Sequence, residues 1–185
     1  MKTRNTLFWL LLLTMSGGAC SSANDPAGSG LPSDTDRETP SNLVARWLPY
    51  AVASRDSAGL EESLDEAFAY PGAGGEDPAA KEDVLRYLGR ALTGHPDERG
   101  RTLAHGDLVV IEKGTFLDDT PYEGKPDGEK WYKSSVSVDL LLVFDGTDGR
   151  TTDSFDEEMF LVVRPDPEND DLWVVIRAEL ADPLP

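Results

Sequence analysis

The chain has 185 residues, 39% hydrophobic and 28% charged, with a formal net charge of −18 at pH 7. Setting aside an N-terminal leader and a polar stretch leaves about 140 residues, enough for one hydrophobic core and not two. So acidic a surface repels phosphate backbones and anionic lipid heads, which excludes nucleic acid as a partner. It leaves a cation, a basic protein patch or plain solubility as the meaning of the charge.

Residues 1–19 read as a secretory signal. Lys2 and Arg4 form a basic start, Leu7-Phe8-Trp9-Leu10-Leu11-Leu12-Leu13 an apolar run, and Ser16-Gly17-Gly18-Ala19 a stretch of small residues. The run is too short to span a bilayer, which takes ~20 residues. Cys20 is the only cysteine, so no intrachain disulfide is possible.

A cysteine at this place, preceded by Gly18 and Ala19, resembles the lipobox of bacterial lipoproteins. Gly17 departs from that motif, which favours an aliphatic residue there. The resemblance implies cleavage before Cys20, acylation of its thiol (palmitate among the acyl groups) and stable membrane attachment through several chains. It also implies a lean toward the outer membrane, because Ser21 and Ser22 follow the cysteine rather than aspartate. The alternative is an ordinary signal cut near Ala19 that leaves a free thiol.

Residues 20–41 then form the lipidated cysteine and a linker rich in Ser, Gly, Pro, Asp and Thr, with Leu31 its one large aliphatic residue. Such a stretch buries too little apolar surface to offset chain entropy. Its expected reach is ~25 Å.

The remaining residues, 42–185, read as a single α+β domain. Ser41 is placed to cap a first helix carrying Leu43, Trp47, Tyr50 and Ala51, with Pro49 kinking it or marking its true start. Leu60, Leu64 and Phe68, spaced by four, predict a second helix from Ser57 that ends at Pro71-Gly72-Ala73-Gly74-Gly75. Asp77 and Pro78 predict the start of a third, with Val84, Leu85, Leu88, Ala91 and Leu92 as its apolar face.

Beyond Arg101 the period changes to two. Strands are expected over residues 108–117, 131–144, 152–164 and 172–180, with Val136, Val138, Leu140, Leu142 and Phe144 on one face of the second. Asp145-Gly146-Thr147-Asp148-Gly149 has hairpin chemistry. Helices first and a strand meander after argue for N-terminal helices packed on a curved antiparallel sheet of about four long strands.

This order resembles the NTF2-like (SnoaL-like) superfamily of cone-shaped α+β domains, over roughly residues 42–182. The resemblance is carried by Tyr50-Ala51, Arg55-Asp56, Leu60, Leu64 and Phe68, and by Trp173-Val174-Val175-Ile176. It implies a domain that is an enzyme, a ligand binder or an interaction module. Enzymes of the superfamily tend to place an Asp/His or Asp/Tyr pair inside the cone. No residue of this sequence aligns with such a pair.

Motifs for nucleophile elbows, phosphate loops, zinc proteases and dinucleotides are absent. His95 reads as a helix-terminal residue. His105, at a strand entry, and Asp139, mid-strand, are the remaining acid–base candidates. Asp139 would have a raised pKa if helices cover its side of the sheet, and is ordinary surface if that side meets water. Asp145, Asp148, Asp153 and Asp156, and separately Asp166, Glu168, Asp170 and Asp171, lie in acidic turns without EF-hand spacing. No metal or cofactor is expected. Trp47, Trp131 and Trp173 line a pocket or, more cheaply, pack the core.

The expected function is that of a membrane-anchored cell-envelope lipoprotein that binds an envelope protein or a small apolar ligand. The alternative is a small NTF2-like enzyme of isomerase or hydrolase type displayed at the membrane.

Overall fold

The structure, a computed structural model, describes residues 37–70, 78–117 and 125–180. Cys20, the leader, the Pro71–Gly75 turn and Asp77 lie outside the described residues.

The first helix, α1, opens over Pro40–Asn42, widens into a π-helical turn over Leu43–Trp47 and closes over Leu48–Ala53. Its cap is Thr39, whose hydroxyl accepts the Asn42 N–H at 3.2 Å, with Pro40 at the first helical position. The expected cap, Ser41, is already inside the helix. The wide turn immediately precedes Pro49, which has no N–H to give to the Ala45 carbonyl, so the break falls where the sequence placed a kink. Among the described residues, Arg37, within the stretch read as linker, already contacts the domain. Its guanidinium donates to the Glu62 carbonyl at 2.8 Å and to Asp166 at 3.3 Å.

Helix α2 spans Ser57–Glu62, capped by Asp56, which accepts the Gly59 N–H at 2.9 Å. It stops there. The predicted continuation through Phe68 is instead a strand, β1, Leu64–Tyr70. The four-residue spacing of Leu60, Leu64 and Phe68 fits both readings, and long-range pairing decides between them. The Val175 N–H donates to the Ser63 carbonyl at 2.8 Å, and β1 runs parallel to the last strand. Asp65 then accepts the Ala67 N–H at 2.8 Å while its other oxygen takes Arg164 Nε at 2.7 Å. A second helix turn would forfeit that buried ion pair.

A short strand, β2 (Ala79–Ala80), leads into helix α3, which runs Lys81–Val84, a π-helical turn Leu85–Gly89, and Arg90–Leu92. Its start is fixed by the Asp83 carboxylate, which accepts the Ala80 N–H at 3.1 Å. Pro78 lies ahead of the helix rather than in its first turn.

Four long strands follow: β3 Thr102–Glu112, β4 Tyr132–Gly146, β5 Gly149–Pro165 and β6 Trp173–Leu180. With β1 and β2 they make a six-stranded sheet in the order β2-β1-β6-β5-β4-β3. The sheet is therefore larger than about four strands, and its one parallel pair, β1 with β6, makes it mixed. It is curved and unclosed. Register shifts at Leu64/Ala69, Leu103/His105 and Val162/Val163 supply the local bends that curvature needs.

The helices cover the inner face. Val136, Val138, Leu142 and Phe144 of β4 face inward as their alternation predicts, and pack with Leu103, Met159 and Leu161 against Leu43, Trp47, Ala51, Val52 and Leu92. Each fully buried side chain of this kind contributes ~1.5–3 kcal/mol. Gly106 allows the close approach of α1 to β3, since a Cβ there would meet Val52 at 3.3 Å. Trp47 and Trp173 serve packing: Trp47 is buried with its indole N–H on the Gly59 carbonyl at 3.2 Å, and Trp173 stacks on Tyr132 with ring centroids 4.9 Å apart.

Candidate functional site

The inner face of β5 is built by alternation from the β4–β5 hairpin. Thr151, Asp153, Phe155, Glu157 and Met159 stand opposite Phe144, Leu142, Leu140, Val138 and Val136, and share their inward side. In that row Met159 belongs to the apolar core and Phe155 packs partly buried against it. Thr151, Asp153 and Glu157 make its polar half, with Asp153 beside Tyr87 of α3 and Glu157 near Tyr70 of β1.

Asp153 is the centre of this polar half. Its two oxygens accept Arg101 Nη1 at 3.0 Å and Nη2 at 2.8 Å, a bidentate pair. Tyr87, from α3, donates its hydroxyl to Asp153 Oδ2 at 3.4 Å. Arg101 also gives Nη1 to the Thr151 hydroxyl at 2.9 Å and Nε to Asp97 at 2.7 Å. Asp97 closes the loop that carries Arg101: its other oxygen accepts the N–H groups of Arg99 and Arg101 at 2.9 and 2.8 Å. Gly100, at φ +73°, makes that tight loop possible.

The electrostatics follow from this closure. The hydrogen bond to Asp153 is the first cause holding the Arg101 pKa above its ordinary value, ahead of the opposing cost of burial. Burial by itself would raise the Asp97 carboxyl. The backbone and side-chain bonds from Arg101 and the backbone bond from Arg99 outweigh it, and its pKa falls. Burial first, then the charge of Asp153, drives the Tyr87 phenol well above its normal range. Farther along the same face Tyr70 packs edge-on to Phe155, centroids 6.4 Å apart, and burial with the nearby Glu157 charge pushes its pKa up to about 12. Both phenols are neutral donors at physiological pH. Asp153 is the shared acceptor of the Arg101 fork and of the Tyr87 hydroxyl.

The acid–base candidates read from the sequence are not brought together. Asp139 is exposed on the outer face, opposite Val109 on β3 and Asp156 on β5. His105 is exposed at the β3 register shift, opposite Val143. His95 is exposed, its Nδ1 2.9 Å from the Thr93 hydroxyl. The first acidic turn is split by the hairpin: Asp145 binds Arg150, Asp153 faces inward and Asp156 outward. Among the described residues no three His, Cys, Asp or Glu side chains converge as a metal site would require. Sequence reasoning missed Tyr87, Asp97, Arg101 and Asp153 as a group. The one available signal was the phase of β5, which the Asp145–Gly149 turn fixes relative to β4.

No family model matches the chain, and no curated protein does. Among solved structures it is similar to a conserved protein from Planctomyces limnophilus, with a TM-score of 0.50 at 10% identity over 71% of this chain and 84% of that one. It is also similar to an NTF2-like superfamily protein from Salmonella enterica, with a TM-score of 0.48 at 10% identity over 82% and 93% of the two chains. A third similar structure is a putative scytalone dehydratase from Novosphingobium aromaticivorans, with a TM-score of 0.44 at 13% identity over 74% and 76%. With the Planctomyces protein the likeness is one of fold alone.

Proposed function

We propose that the chain is a lipid-anchored, NTF2-like binding domain of a bacterial envelope, exported by its leader and held at the membrane, with a lean to the outer one, through Cys20. The reading draws its address from the residues around Cys20 and its order of elements from the helices and the curved sheet. The observation that carries the binding role is the state of Asp153. The carboxylate that the sheet turns inward beside Tyr87 is held by the fork of Arg101 and also accepts the Tyr87 hydroxyl, so both of its oxygens are committed to contacts within the fold. The adjoining part of the inner face is filled by aliphatic core.

Two measurements test it. Cys20→Ser is expected to move the protein from the membrane to the soluble fraction, and unchanged membrane partition removes the anchor. A panel of lactones, epoxides and ketosteroids is expected to give no turnover.

A second reading, a small enzyme at the membrane, is favoured by one contact. Tyr87 and Asp153 form an Asp/Tyr pair on the inner face. Turnover lost in both Tyr87→Phe and Asp153→Asn would establish it and displace the binding role.

A further inference from the structure

The two halves of helix α3 differ in what they bury. Gly89, Ala91 and Leu92, at its end, are buried, the last two within the core. Val84, Leu85, Tyr87 and Leu88, ahead of them, are only partly buried and pack against the core from its margin. The joint between the halves is the wide turn Leu85–Gly89, where the Arg90 N–H is shared between the Leu85 and Tyr87 carbonyls. In α1 the corresponding wide turn has a covalent cause in Pro49 and is sealed by the buried Leu43, Val44 and Trp47. Residues 81–92 contain no proline. They place at the joint Gly89, the weakest helix former after proline. A shallow crevice of ≈ 180 Å³, lined by Ser57, Glu61, Leu85, Gly89, Arg90 and Thr93, lies between α2 and this turn. The joint is therefore loosely wound and has free space beside it.

Ahead of the joint the chain is fastened lightly. Strand β2 is two residues long and lies at the edge of the sheet, Ala79 opposite Tyr70 and Ala80 opposite Ala69. Lys81 Nζ bonds Glu66 Oε1 at 2.7 Å, but that glutamate is 92% exposed and solvent weakens the pair. The Tyr87 hydroxyl reaches Asp153 at 3.4 Å, long for a hydrogen bond. These contacts end on Tyr70 and Asp153, and Tyr70 packs on Phe155. All three are half-buried side chains of the inner face.

We propose that the Leu85–Gly89 turn is a hinge, at which β2 and the first half of α3 (residues 79–88) swing from the inner face and admit a small apolar ligand beside Tyr70 and Phe155. Opening breaks the two-residue ladder, the Lys81–Glu66 pair and the Tyr87–Asp153 bond, while Ala91 and Leu92 stay in the core. The Arg101–Asp153 fork lies on the stationary side, so the polar floor keeps its shape as the helix moves. The inference rests on the binding role proposed above and supplies the route by which that site is entered.

The test uses the full chain. In hydrogen exchange the Arg90 amide, which bonds across the joint, should be roughly a hundredfold less protected than the amides of Val138 and Leu142, with a weaker urea dependence. Gly89→Ala adds a methyl at ordinary contact distance, 3.6 Å from Leu85 Cβ, and favours the wound helix. It should raise Arg90 protection roughly fivefold. Tyr87→Phe, which removes the bond to Asp153, should lower that protection by a similar factor. N-phenylnaphthylamine, a neutral apolar fluorophore, should bind saturably. Because the open form alone admits it, Gly89→Ala should weaken its binding by the same factor that it slows exchange. Arg90 exchanging only with global unfolding, or a Gly89→Ala variant with slower exchange and unchanged probe affinity, would overturn the hinge. Absence of saturable fluorescence would overturn the admission of an apolar ligand. Global exchange at Arg90 with the probe still bound removes the hinge and leaves the binding role. Turnover in the lactone, epoxide and ketosteroid panel removes that role and leaves the exchange result standing.

Discussion

Arg101 and Asp153 meet as two parallel hydrogen bonds, at 3.0 and 2.8 Å, with the guanidinium carbon 4.5 Å from the centroid of the Phe144 ring. The arginine side chain is 8% exposed and the aspartate 12%. A pair this buried stabilises the fold little by its mere presence, but removing one member strands the other. Arg101→Met should therefore destabilise the domain by ~3–5 kcal/mol, since it leaves Asp97 and Asp153 without their shared cation. Arg101→Lys keeps the charge and loses the fork, so it should fall between the two. Urea unfolding at neutral pH measures all three proteins. Equal stability of Arg101→Met and the native chain would mean that water replaces the guanidinium.

The same cluster sets an acid limb. The Asp97 pKa is lowered in the fold from its ordinary 3.8, so folding favours the carboxylate. Its contribution is complete above pH 3.8 and is lost as pH falls through the depressed folded value. Asp97→Asn should flatten this part of the stability–pH curve while lowering stability at neutral pH. A variant curve parallel to the native one below pH 4 would place the acid sensitivity elsewhere.

At the alkaline end the sign reverses. Tyr70 and Tyr87 are raised above 10.0, Tyr70 to about 12, chiefly by burial, so the fold favours the protonated phenols. Their contribution is complete below pH 10 and disappears as pH rises through the folded values. In a phenolate absorbance titration, part of the tyrosine signal should appear late and together with loss of the fold. Tyr70→Phe should remove a fraction of that late step. A single ordinary titration of every tyrosine in the folded protein would contradict the burial of both rings.

How legible each part was depends on how local its cause is. The inward face of β4 was readable because Val136, Val138, Leu142 and Phe144 alternate strictly, and alternation is a local property. β1 was misread because its apolar residues recur every four, and what makes it a strand is pairing with β6 more than a hundred residues away. The Arg101–Asp153 pair was invisible for a related reason. Arg101 sits on the loop just before β3 and Asp153 on β5, and their meeting depends on the β4–β5 register and on the Asp97 loop. Asp139 was legible only as a conditional. Its phase was correct, but no residue count says which side of a sheet the helices will cover.

The misread strand yields the last prediction. Asp65 is 1% exposed and anchors β1 through Arg164, which also lies 3.5 Å from Glu129. Asp65→Ala removes the carboxylate that holds Arg164 and the local acceptor for the Ala67 N–H. Stranding a part-buried guanidinium and an amide should cost ~2–4 kcal/mol. The damage should be directional. Amide exchange should accelerate along Leu64–Tyr70 and at Val175, whose N–H bonds Ser63, while the β3–β4 ladder keeps its protection up to global unfolding. Asp65→Asn, which keeps an acceptor but not the charge, should lie between the native chain and Asp65→Ala. If the two variants unfold alike and lose protection evenly across the sheet, Asp65 supports the whole core and is not the lock of this one strand.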